Sequence, residues 1–216
     1  MITKYLTRQQ NGVLMLVIMC TFLVLLRVQI TQNLLFTFML WNIFLALIPF
    51  FITEYAVKRD IENKSKMKQI VLFVIWLFFL PNAPYIITDF IHLDTSRKNP
   101  LGWFDLLFLF CSAITGLMIT VLTLKDVYQI IIKKWSLKVA DIFIPIVCFL
   151  SGFGIYLGRF LRFNSWDIVT APISLVEKTV YSFKLPKAWY VTIGFGMFLW
   201  IFFYAFLSFF KTKRKS

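Results

Sequence analysis

The residues of this sequence with the means to do chemistry gather in two short stretches. The first runs Pro81-Asn82-Ala83-Pro84-Tyr85 and on through Asp89, His92 and Asp94. The second is Gly158-Arg159-Phe160-Leu161-Arg162-Phe163-Asn164-Ser165-Trp166-Asp167. If the chain restarts as a helix at Pro84, Tyr85, Asp89 and His92 share one face at i, i+4 and i+7, while Ile86, Phe90 and Leu93 share another. Asp89 and His92 could then act as an acid/base pair. On a helix, Arg159, Arg162 and Trp166 would share a face, and arginine binds carboxylate and phosphate bidentately. That pattern suits an anion-binding half-site, such as one for a lipid phosphate. Both stretches also have a plain structural reading: a proline kink with polar residues just outside it, and an interfacial belt in which Trp166 sits at headgroup depth.

The elements that must position these residues are membrane helices. The chain has 216 residues, 60% apolar and 15% charged, with a mean hydropathy of +0.79. Soluble domains run near 45–50% apolar and about 25% charged, so an ordinary soluble, disordered or disulfide-built secreted protein is excluded. A bilayer crossing needs about 20 apolar residues. Six runs qualify, at 12–30, 34–57, 69–90, 104–124, 139–158 and 189–210, and they predict a single all-α, polytopic transmembrane bundle. The first run is too long for a cleaved leader and no small-x-small site follows it; Arg27 near its end is placed to snorkel to the interface.

The third run is interrupted. From Gln69 to Leu80 is 12 residues, roughly 18 Å of helix, which does not cross a core of about 30 Å. Pro81 and Pro84 therefore break the span inside the membrane, and the carbonyls they free must meet protein or water. Asn82 before Pro84 is placed to cap and restart the helix.

The net charge of +13 comes from 23 Lys and Arg against 10 Asp and Glu. The basic residues lie between apolar runs, which points to topology and anionic headgroups rather than nucleic acid. With the N-terminus in the cytoplasm, 15 of them fall on the cytoplasmic side and 8 on the other, so both termini are read as cytoplasmic. Both polar stretches then lie at the outer face. Asp105, at the outer start of the fourth span, could join them, facing that helix's positive N-terminal dipole. About 30 residues after Gly158 read as one outer loop.

The remaining features are quieter. Cys20, Cys111 and Cys148 lie in apolar runs without CxxC spacing, and with His92 as the sole histidine no zinc site is predicted. No metal and no cofactor is expected. Gly154 and Gly158 form a GxxxG that suits close packing. Glu54 and Asp141 read as interfacial, with a cross-helix link to a lysine open to either. Tyr128 to Lys138 could lie as a short helix on the anionic leaflet. No nucleotide-binding loop, HExxH or nucleophile elbow occurs.

The stretches LPNAPYIITDFIHL (80–93) and GRFLRFNSWD (158–167) resemble, in sequence, order and separation, the bacterial membrane family known as domain of unknown function 1361. A tryptophan is common there where this chain has Phe163. The resemblance implies a multi-spanning bacterial membrane protein and no particular activity. It points at Pro81, Asn82, Pro84, Tyr85, Asp89, His92, Arg159, Arg162, Asn164, Trp166 and Asp167.

The leading expectation is a plasma-membrane protein that binds an anionic lipid or envelope precursor through Asn82, Tyr85, Asp89, His92, Arg159, Arg162, Asn164, Trp166 and Asp167. An enzyme using His92 and Asp89 on such a lipid, a subunit or assembly partner of an envelope complex (a homo-oligomer included), and a small transporter stay open beside it.

Overall fold

The structure, a computed structural model, describes residues 2–93, 101–163, 170 and 172–211. Among the described residues all regular structure is helical. The order is α1 (Ile2–Thr31), α2 (Phe38–Lys58), α3 (Lys66–Phe79), α4 (Asn82–Tyr85), a 3-10 helix (Ile86–His92), α5 (Gly102–Lys134), α6 (Leu137–Phe160), α7 (Pro172–Ser182) and α8 (Pro186–Lys211), with a 3-10 turn at Ile61–Asn63. Among the described residues six segments are long and apolar enough to cross a membrane: Gln9–Thr31, Phe38–Lys58, Lys66–His92, Gly102–Lys134, Leu137–Phe160 and Pro186–Phe209. The protein is thus a multi-pass membrane protein. Six crossings return the chain to the end where it starts. That end also holds the α2–α3 and α5–α6 turns and is called the termini end below; the other is the far end.

The third span breaks where the prolines predict. Helix α3 stops at Phe79. Ala83 N–H bonds Leu80 O at 3.2 Å and Tyr85 N–H bonds Pro81 O at 3.0 Å. Asn82 does not cap the new helix as expected: Pro81 holds the N-cap position without a side-chain cap. The Asn82 amide instead donates backward to Phe79 O at 3.0 Å, supplying the donor that the carbonyl lost when Ala83 turned to Leu80. Ile86 is buried against the core, with Phe90 and Leu93 packed on the same cluster, as their spacing predicts.

Helix α5 is the centre of the bundle and contacts α1, α2, α4, the 3-10 helix, α6 and α8. Its 33 residues make roughly 50 Å of helix, beyond the fourth apolar run. Tyr128 and Ile131 are therefore buried on α5, and residues 128–134 continue a span instead of lying on the leaflet. On one side α1, α2 and the break close a core around Phe36, Met39, Phe108 and Ile119. On the other, α3, α6 and α8 close a second around Trp76, Leu124, Val147 and Phe203.

Glycines set the closest approaches. A Cβ on Gly154 would lie 2.5 Å from Pro81 Cγ, and one on Gly158 would lie 3.3 Å from the Tyr85 ring. The GxxxG of α6 is thus a packing face, and its partner is the broken span. Across the break, a Cβ on Gly116 of α5 would fall on the carbonyl of Ala83.

Three further expectations change. Asp141 makes its cross-helix link to tyrosines, accepting from Tyr128 at 2.8 Å and Tyr204 at 2.9 Å, while Glu54 is buried and pairs with Lys58 within its own helix at 3.4 Å. The segment between α6 and α8, expected as a loop, contains helix α7. Arg27 does not snorkel: it is 2% exposed and sits at the heart of an ion pair.

Candidate functional site

The polar residues of the two motifs meet at the far end of the bundle. Arg159 lies in the last turn of α6, where a cation complements the helix dipole. Its Nη1 is 3.1 Å from Asp89 Oδ1 and 3.3 Å from the Tyr85 hydroxyl. Its Nη2 donates to Thr88 O at 3.0 Å and lies 3.4 Å from His92 Nε2. The three-residue repeat of the 3-10 helix stacks Asp89 over His92, whose Nε2 is 3.9 Å from Asp89 Oδ1. Asp89 is 1% exposed, and its other oxygen accepts from Asn42 of α2 at 3.0 Å. Helix α2, the broken third span and α6 therefore share one charge-neutral cluster. Both Asp89 oxygens and both terminal nitrogens of Arg159 are engaged inside it, which is how a charge pair at this depth is satisfied. His92 is the half-exposed member, its ring 5.1 Å from that of Phe38.

A second pair stands beside the first. Arg27 of α1 meets Asp105, in the first turn of α5, in a fork: Nε to Oδ1 at 2.5 Å and Nη2 to Oδ2 at 3.2 Å. Phe36 stacks on the guanidinium at 4.3 Å. Asp105 thus serves a separate α1–α5 tie and does not join the Asp89 cluster.

Next to the break is a groove of about 500 Å3. Its wall is apolar on α3 and α6, with Phe78, Leu150, Phe153 and Leu157, and carries the polar side chains of Asn42, Asn82 and Tyr85 near the break. Val176 and Thr179 of α7 and Phe163 after α6 complete the lining. Lys178 Nζ lies 5.1 Å over the Phe163 ring. Arg162, one residue before it, is exposed with φ 57°. This left-handed residue follows the end of α6, and the Phe163 N–H turns back to Leu157 O at 3.2 Å. The helix ends at Phe160, too early for Arg159 and Arg162 to share a helical face.

Of the residues expected at the site, Tyr85, Asp89, His92 and Arg159 come together. Asn82 and Tyr85 line the groove, and Arg162 stands apart from the ion pair. Asp94, Asn164, Trp166 and Asp167 lie outside the described residues. Sequence reasoning missed Asn42, though an amide five residues into an apolar helix was a visible signal. Among the described residues, no group of three or more His, Cys, Asp or Glu side chains is placed to hold a metal ion.

A family model described as a protein of unknown function (DUF1361) matches residues 41–202. That range holds Asn42, the broken span, Arg159 and Arg162, and leaves out Arg27 and the rest of α1. No curated protein and no solved structure matches the chain.

Proposed function

This multi-pass membrane protein belongs to the DUF1361 family, which carries no assigned activity, and we propose that it is a binding protein for an anionic lipid or lipid-linked envelope precursor. The observation that carries the reading is the groove at the break. It offers an apolar bed for a hydrocarbon chain and a few polar groups to orient it, with the Lys178 ammonium over the ring of the lining residue Phe163, the usual make-up of an amphiphile site. Asn82 and Tyr85 contact the ligand within the groove, and Arg162 and Lys178 meet its phosphate or carboxylate. Asn42, Asp89, His92 and Arg159 are positioning residues that hold the break open against α6. By sequence alone the same reading extends to Asn164, Trp166 and Asp167, which lie outside the described residues.

The reading sets the protein in a bacterial plasma membrane with both termini cytoplasmic and the groove in the outer leaflet. The 15-to-8 division of Lys and Arg between the two ends supports that orientation. The test is native mass spectrometry of the protein released from mild detergent after incubation with phosphatidylglycerol. The expected result is that Leu157→Trp, which fills the groove, retains one lipid molecule fewer than the wild type. Equal retention by both overturns the reading.

A further inference from the structure

A second groove of about 490 Å3 lies in the other half of the bundle, between α2, α3, α5 and α6. Its walls are Ala56, Phe73, Trp76, Val127, Ile131 and Phe143. The two grooves lie end to end along the third span. On α3 the first uses Leu77 and Phe78 and the second uses Lys66 to Trp76; on α6 the first uses Leu150 to Gly158 and the second Phe143. From Lys66 to Trp76 is about 15 Å of helix, half of a core of about 30 Å. The second groove is therefore one leaflet deep.

Its charged residues, Glu62, Lys66 and Lys134, sit at its termini-end rim. Glu62 is neutralised by Lys133 at 3.2 Å. Lys134 donates to Gln69 and lies 4.5 Å over the Trp135 ring. Lys66, in the first turn of α3, is exposed and has no acidic partner among the described residues. The rim thus carries a surplus of positive charge over an apolar bed. Trp76, 1% exposed, keeps an indole N–H without a hydrogen-bond partner in the groove's wall.

We propose that this groove is a second lipid site, taking one anionic phospholipid from the leaflet at the termini end, with a chain along α3 and the headgroup at Lys66 and Lys134. Charge complementarity selects the headgroup, and the depth selects a single leaflet's chain. The proposal does not rest on the groove at the break.

The two sites are separated by one experiment. The protein is delipidated in detergent, incubated with equimolar phosphatidylglycerol and phosphatidylcholine, and read by native mass spectrometry. The wild type retains two phosphatidylglycerol molecules. Val127→Trp, which fills the second groove, retains one, and so does Leu157→Trp. Lys66→Gln, a surface change that keeps the fold, lowers the preference for phosphatidylglycerol at the second site about fivefold. Two molecules retained by Val127→Trp, an unchanged preference in Lys66→Gln, or equal retention of phosphatidylcholine overturns the second site. A Leu157→Trp protein that still holds two overturns only the groove at the break.

Discussion

Pro81 seats its ring on Gly154, where one added methyl carbon would lie 2.5 Å from the proline Cγ. Gly116 receives the Ala83 backbone on the opposite side. The broken segment is held between two glycines of α5 and α6, and that grip sets the register in which Tyr85 and Asp89 reach Arg159. The prolines open the helix; the glycines decide where the opened chain rests.

Gly154→Ala and Gly116→Ala should each destabilise the protein by about 1–3 kcal/mol, the usual range for overpacking a close contact. Gly194→Ala is the control. A Cβ there meets nothing within 4 Å, so alanine in mid-helix should be neutral or stabilising by up to about 1 kcal/mol. Thermal unfolding in detergent reads all three. A Gly154→Ala protein as stable as Gly194→Ala would show that the contact with Pro81 does not fix the break.

Arg159 and Asp89 should behave as one unit. Removing either partner alone leaves a buried charge, at about 3–5 kcal/mol. Arg159→Lys keeps the charge but cannot reach Asp89, Tyr85 and Thr88 O together, and should lose about 2 kcal/mol, the worth of a hydrogen bond to a charged group. In a double-mutant cycle, Asp89→Asn with Arg159→Gln should cost clearly less than the sum of the single changes. Additive losses would mean the pair is not coupled.

Asn42→Ala tests the third arm of the cluster. It strips the donor from the second oxygen of a carboxylate that is 1% exposed, and an unsatisfied buried acceptor costs about 1–3 kcal/mol. Restoring a donor with Asn42→Gln should recover part of the loss. Stability unchanged in Asn42→Ala would remove α2 from the site.

The fork between Arg27 and Asp105 reads as a structural tie, and it separates from function by replacement. Arg27→Met or Asp105→Leu alone should be strongly destabilising. The double change to apolar residues should be near neutral, as is common for buried pairs replaced by packed hydrophobes. If the double change keeps stability but removes lipid binding, the fork belongs to the binding site instead.

The sequence carried the count of spans, the break at Pro81, and the choice of Tyr85, Asp89, His92 and Arg159 as candidates, because each follows from local periodicity or from the rarity of polar residues in apolar runs; whether the two stretches meet it left open. What it did not carry depends on partners distant in the chain. An arginine near the end of a span looks the same whether it snorkels or pairs, and Arg27 pairs with a residue 78 positions away. Asn42 becomes meaningful when Asp89 arrives beside it. Helix α7 is 11 residues long, too short to stand out as a span, and its apolar residues matter because a groove lies next to them. Arg162 left the expected helical face because the chain turns left-handed there, which the periodicity of α6 does not announce.

Chemistry at Asp89 and His92 and binding at the groove predict opposite results for His92→Ala. In the structure Asp89 has both oxygens occupied, while His92 borders the cluster at its exposed edge. If the cluster holds the break in place, His92→Ala should keep phosphatidylglycerol at wild-type stoichiometry and complement a chromosomal deletion. Arg162→Gln should weaken binding at the groove by the break about fivefold, and Leu157→Trp should abolish binding at that groove. Each variant is read by native mass spectrometry and by complementation. A His92→Ala protein that binds normally yet fails to complement would move the function from holding the lipid to acting on it, with His92 as the reacting group.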